Sequence, residues 1–264
     1  IPIKFETVED INTLLDLGKK YSRGDGVLVN EGRAFALFSK AIRLTPKANE
    51  DRRVELSILI SRFFIDQEEG MEWEEDGDVE WGFNARIGRL ILRGKESLEG
   101  HENGKTTEMR DHDDGEAPWI TKHKDQIKSV VICYGISKIS QEAFTGCSSL
   151  KAVLIPYGTT SIGQDAFSNC SMLESVVFPD GLTSIGSFAF CRCRLLTQLS
   201  IPKTVTTLGS NPFVYCPQLK SIDFGGENQC FKVVDGVVFD KSMTTLVSCG
   251  AFSKSGYIVP STVK

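Results

Sequence analysis

Residues 127–219 write one 23-residue sentence four times: IKSVVICYGISKISQEAFTGCSS (127–149), LKAVLIPYGTTSIGQDAFSNCSM (150–172), LESVVFPDGLTSIGSFAFCRCRL (173–195) and LTQLSIPKTVTTLGSNPFVYCPQ (196–218), with Leu219 opening the next. At that period Ile132, Ile155, Phe178 and Ile201 share one column, and Ile139, Ile162, Ile185 and Leu208 another. Phe144, Phe167, Phe190 and Phe213 make a third, and Cys147, Cys170, Cys193 and Cys216 a fourth. Leu150, Leu173, Leu196 and Leu219 open successive units. Chance does not align five apolar columns over four units; the pattern is that of a solenoid.

Within a unit the chemistry sets the path. Leu150, Val153 and Ile155 point inward from a short extended run while Ala152 and Leu154 point outward, as a period of two requires. Pro156 and Gly158 turn the chain, and Thr160-Ser161-Ile162-Gly163 gives a second short extended piece. Ala166-Phe167 drops an aromatic into the interior, and Cys170 is small enough to be stacked beside it. No unit buries these side chains alone, so the coils must share one core.

Working outward, the chain has 264 residues, 41% hydrophobic and 25% charged, which leaves room for two domains. A net charge of −5 gives no general attraction to nucleic acid or anionic membrane. The longest apolar-looking runs, such as Leu56 to Ile65, are broken by Ser57, Ser61 and Arg62, so no membrane span is expected. A start at Ile1 and a stop at Lys264 inside a repeat suggest a fragment or a processed form. Of the eight cysteines, the four in the column fit either bridges between neighbouring coils or buried free thiols. Cys133, Cys191, Cys230 and Cys249 lack the pair spacing of a zinc site.

Residues 1–93 read as a helical repeat domain. Thr7-x-x-Asp10 suggests a capping box before Ile11, Leu14, Leu15 and Gly18, and Gly24-Asp25-Gly26 ends that helix. Asn30 can cap a second helix, which Pro46 stops, and Asn49 or Asp51 a third. Trp81, Ala85, Gly88 and Leu92 fall at i, i+4, i+7 and i+11, the spacing of a fourth. Between them Asp66 to Glu80 carries nine acidic residues in fifteen, read as a solvated acidic loop because the turn glycine misses the calcium-loop position. Residues 94–117, poor in large apolar side chains, read as a flexible acidic linker, and 118–264 as the solenoid. Two motifs near the linker are decoys. Gly88 to Lys95 has five residues between its glycines and Glu96 where a phosphate loop needs Ser or Thr, and Asp111-His112-Asp113-Asp114 sits in a stretch with no fixed geometry.

Two resemblances follow from these residues. Leu17, Gly18, Tyr21, Gly24, Gly26, Val27, Ala34, Lys40 and Ala41 make the run 17–42 similar to one unit of the Sel-like helical repeats, relatives of the tetratricopeptide repeat. From Pro118-Trp119 onward the chain resembles the BspA-like leucine-rich repeats. The lead-in PWITKHKDQIKSVVI and the pattern Ile-Gly-x-x-Ala-Phe-x-x-Cys-x-x-Leu carry the likeness, with Ser140 for Gly in the first unit and Pro212 for Ala in the fourth. The longer insert of that family is matched by Phe231 to Asp240 and Thr244-Thr245-Leu246, and Ser255 to Lys264 reads as a further coil. The implied fold is α+β and multidomain: helical hairpin repeats, then a leucine-rich-repeat solenoid.

The function these readings imply is binding. The three histidines, His101, His112 and His123, lie in the linker and the polar lead-in, and no Gly-x-Ser-x-Gly occurs, so an enzyme has no foothold. Neither a cofactor nor a metal is expected. The leucine-rich resemblance implies adhesion to a protein partner from a secreted or surface position. The helical one implies an adaptor found inside cells or exported, with the solenoid mainly structural, and unpaired thiols favour a reducing setting. The expected binding face is the outward column Val131, Leu154 and Val177, turning polar at Ser200, with Tyr134 and Tyr157 beside it. The alternative is that β-branched residues simply suit strands, or that the helical domain folds back over them.

Overall fold

The computed structural model describes residues 10–46, 48–68, 70–95, 106–112, 117–225, 228–249 and 260–263. Three helices come first: α1 (Ile11–Arg23), α2 (Glu31–Leu44) and α3 (Glu50–Asp66). Asp10 caps α1 by accepting from the Thr13 amide at 2.7 Å, while Thr7 lies outside the described residues. Asn30 and Asn49 cap α2 and α3 as expected, accepting from Arg33 N at 2.9 Å and Arg52 N at 3.2 Å. Gly18 explains how α1 and α2 close on each other: a Cβ there would stand 2.7 Å from the Phe38 ring.

The fourth helix expected over 81–92 does not form. Instead β1 (Trp73–Asp76), β2 (Val79–Asn84) and β3 (Arg89–Gly94) form an antiparallel ribbon, with Trp81 paired to Leu92 across it. Gly77 and Gly88 turn it in left-handed conformation, at φ 64° and 75°. The second half of the acidic stretch is therefore the ribbon's first turn and its strands, and Val79, Trp81 and the half-buried Phe83 are directed together to the solenoid core by alternation. The spacing read as helical was the accident of two strands in series.

Part of the stretch expected to be a linker is strand. β3 pairs in parallel with β5 (Ser129–Ile132), and β4 (Thr107–Glu108) with β6 (Ile136–Ile139), so the two strands add an irregular coil before the first repeat. Met109 is buried in the core, while 96–105 and 113–116 lie outside the described residues. The short helix α4 (Pro118–His123) then crosses the end of the solenoid, and its Trp119 donates from Nε1 to the Ala143 carbonyl at 2.6 Å.

Above that cap the coils stack. β7 (Ala152–Leu154), β9 (Ser175–Val177), β11 (Gln198–Ile201) and β13 (Ser221–Phe224) continue the first wall, and β8 (Ser161–Ile162), β10 (Ser184–Ile185) and β12 (Thr207–Leu208) the second. Register follows the 23-residue period, with Ile139 beside Ile162, Ile162 beside Ile185 and Ile185 beside Leu208. Between the walls Trp119, Phe144, Phe167, Phe190 and Phe213 form a continuous aromatic pile at centroid spacings of 5.1 to 6.1 Å. Gly163, Gly186 and Gly209 let one coil's backbone lie on the next: a Cβ at Gly186 would meet Gln164 N at 2.5 Å. The insert beyond β13 is a three-stranded antiparallel meander, β14 (Phe231–Val234), β15 (Val237–Asp240) and β16 (Leu246–Cys249), which adds Phe231 and Val238 to the core. Residues 251–259, where the further coil was expected to begin, lie outside the described residues.

Two cores result, one on each side of the first wall. Val130, Ile132, Val153 and Ile155 face the solenoid interior. Ile91, Val131, Cys133, Ala152 and Leu154 face the other way, into a core shared with Leu14, Phe35, Phe38, Ile60 and Phe64 of the helices. The helices form a layer laid on the first coils.

Candidate functional site

The outward column is split by that layer. Val131 is fully buried and Leu154 5% exposed, so the apolar strip expected at the surface is interior in its first two coils. The physical reason is the helical cover that the sequence had left open. Tyr134 donates its amide to Ser61 Oγ at 2.9 Å, and Tyr157 donates its hydroxyl to Glu50 at 2.5 Å with the Arg53 guanidinium 5.7 Å from its ring. Burial raises the pKa of both phenols, and Glu50 raises Tyr157 further. Val177 is half-buried and Ser200 exposed.

Where α2 ends, the wall opens. A recess of about 240 Å³ lies beside its last turn, with Arg43 on one side and Phe178, Asp180, Ser200 and Lys203 on the other. Outward positions beyond it are polar and exposed: Gln198, Ser221 and Asp223. Asp180 is tied down by Arg53 Nη1 at 3.5 Å, the same guanidinium that donates to the Thr45 carbonyl at 2.7 and 3.0 Å and so holds the end of α2. The recess thus brings Ser200 together with residues not singled out from the sequence. A signal for two of them was present, because Tyr134, Tyr157, Asp180 and Lys203 occupy one 23-residue column.

The groups with chemical potential elsewhere are spent on structure. Cys170, Cys193 and Cys216 donate their thiols to the Phe144, Phe167 and Phe190 carbonyls at 3.2, 3.3 and 3.1 Å. Burial pushes Cys133, Cys147 and Cys216 up to about 12 and raises Cys170 and Cys193 well above the ordinary value, opposite to an activated thiolate. His112 Nε2 lies 2.9 Å from the Asp76 carboxylate and His123 stacks on Phe83, while His101 lies outside the described residues. Asp111 is held by Lys138 and by the Gln141 amide, not by His112. Among the described residues no helix is long and apolar enough to cross a membrane.

Residues 122–245 match the family model for the BspA type leucine rich repeat region in six copies. The likeness covers just under half of the chain. No curated protein matches the chain. Among solved structures, a leucine-rich repeat protein from Eubacterium ventriosum is 24% identical with a TM-score of 0.56, over 73% of this chain and 54% of that one. The Pneumococcal vaccine antigen PcpA is 19% identical with a TM-score of 0.44, over 73% of this chain and 60% of that one. A leucine rich repeat protein of T. pallidum is 23% identical with a TM-score of 0.39, over 57% of this chain and 71% of that one. The first of these shares the fold of the repeat region, and the present chain spans about half of its length.

Proposed function

We propose that the chain is a non-enzymatic protein-binding module whose repeat region takes a protein partner on the open part of the first wall. The observation that carries this is the split column: helices cover coils one and two, and the face from Val177 and Ser200 to Asp223 stays open beside a charged recess. Arg43 and Lys203 of one sign and Asp180 and Asp223 of the other suit a polar protein surface rather than nucleic acid. An adhesion role accords with the BspA-type repeats. Val131 and Leu154 then act indirectly, by fixing where the helical cover ends. The helices α1 to α3 and the repeat region are taken as the two functional segments, with the run 17–42 a Sel-like hairpin unit.

A second reading makes the helices the adaptor and the repeats their support. Leu28 at 90% exposure and Val29 at 60%, on the α1–α2 turn, favour it. A photo-crosslinking side chain at position 200, compared with one at position 28, separates the two. Capture from 200, lost in Ser221→Arg at unchanged Tm, supports the open wall; capture from 28 alone overturns it.

A further inference from the structure

The ribbon end of the molecule carries a different feature. A groove of about 620 Å³ lies between β1, β2 and α4, within the size range of small-ligand sites. Its floor is aromatic. Phe83 stacks on the His123 imidazole with centroids 4.2 Å apart and planes 20° from parallel, and Trp81 meets the same imidazole edge-on at 5.9 Å. Burial pushes the His123 pKa down, against the pull of Glu74. Glu72 and Glu74 supply carboxylates at the rim.

One cation already sits there. Lys122 Nζ stands 5.5 Å from the centre of the Trp81 ring and 2.5 Å from the Glu74 carboxylate. Its side chain is 50% exposed, so packing does not fix it in place. A ring face attracts an ammonium through its quadrupole and a carboxylate takes the N–H hydrogen bonds. The third carboxylate of the groove, Glu68, is engaged by Arg89 at 2.9 Å and by Asn84 at 2.5 Å, which leaves Glu72, and Glu74 once Lys122 is displaced, for a ligand. Trp81 is 1% exposed, and its indole N–H has no acceptor among the described residues.

We propose that this groove binds an alkylammonium group, and that Lys122 is an internal occupant which an external ammonium displaces. The group could belong to a lysine side chain of a partner or to a free polyamine, and the chemistry is common to both. The full chain is titrated by calorimetry and tryptophan fluorescence with butylammonium, its neutral analogue butanol, spermidine, and the end-blocked tripeptide Gly-Lys-Gly. Saturable binding of the ammonium probes without binding of butanol is expected. Glu72→Gln should weaken it roughly threefold to tenfold, and Lys122→Ala should tighten it by a similar factor. Both side chains are at the surface, so an unchanged Tm accompanies either variant. Spermidine binding above the tripeptide assigns a polyamine, and the reverse order a lysine. Equal binding of butanol and butylammonium, no saturable binding at all, or ammonium binding indifferent to both variants overturns the proposal.

Discussion

Cys147 and Cys216 hold their protons to about pH 12 when folded, against an ordinary value of 9.0. The folded chain therefore keeps protons that the unfolded chain has lost. Stability from these thiols is complete below pH 9 and falls as pH rises towards 12, by about 1.4 kcal/mol per pH unit for each thiol. Urea unfolding between pH 8 and 11 should show Cys147→Ala with the shallower decline, and equal slopes would contradict the assignment. Glycines give a second test. Gly186→Ala forces a Cβ against the Gln164 amide and Gly163 carbonyl carbon, at 2.5 and 2.6 Å, and should cost about 1–3 kcal/mol or more. Gly181 has nothing within 4 Å of such a Cβ and its substitution should be close to neutral. Similar losses at both would mean that coil-to-coil backbone contact is not what Gly186 serves.

Elements are joined by Arg89. From β3 its guanidinium reaches Glu68 at 2.9 Å, Ser22 at 3.2 Å and Glu31, so one buried side chain ties the first wall to α1, α2 and the end of α3. Removing it takes the cation from the buried Glu68 and the part-buried Glu31, at a cost of about 3–5 kcal/mol. In Arg89→Ala, hydrogen exchange should quicken in α1 and α2 before it does at the Phe144 to Phe213 turns; uniform loss of protection would refute a local clamp. None of these partners was legible in the sequence, because they lie 21 to 67 residues apart and recur at no period. The solenoid was legible because every coil repeats the same demands at the same step. The ribbon was not: Asp76-Gly77 marks its first turn, but Trp81 and Leu92 also fit a helical face. The Val131 strip shows the same limit, since outward and apolar is how a position reads whether water or a helix covers it.

At the scale of the whole molecule, the two walls are not dressed alike along their length. Helices and ribbon cover the first coils, and the wall from β9 to β13 carries polar side chains towards the open recess. This asymmetry places both candidate surfaces. The polar wall begins where α2 stops, and the aromatic groove lies where the ribbon overhangs α4.

The stacked coils have a mechanical consequence. Pulled from its two ends, such a chain behaves as a spool pinned at one flange. The first turns are fastened by helices and by Arg89, whereas the last ones are held by their neighbours and by the meander. Under tension the thread should pay out from the C-terminal side, one turn at a time. Each 23-residue turn releases about 75 Å of contour. An optical trap holding the chain at residues 10 and 249 should record evenly spaced rips of that length, followed by a larger, stiffer event as the pinned turns go. A single rip spanning the whole chain would show that the load is shared from end to end.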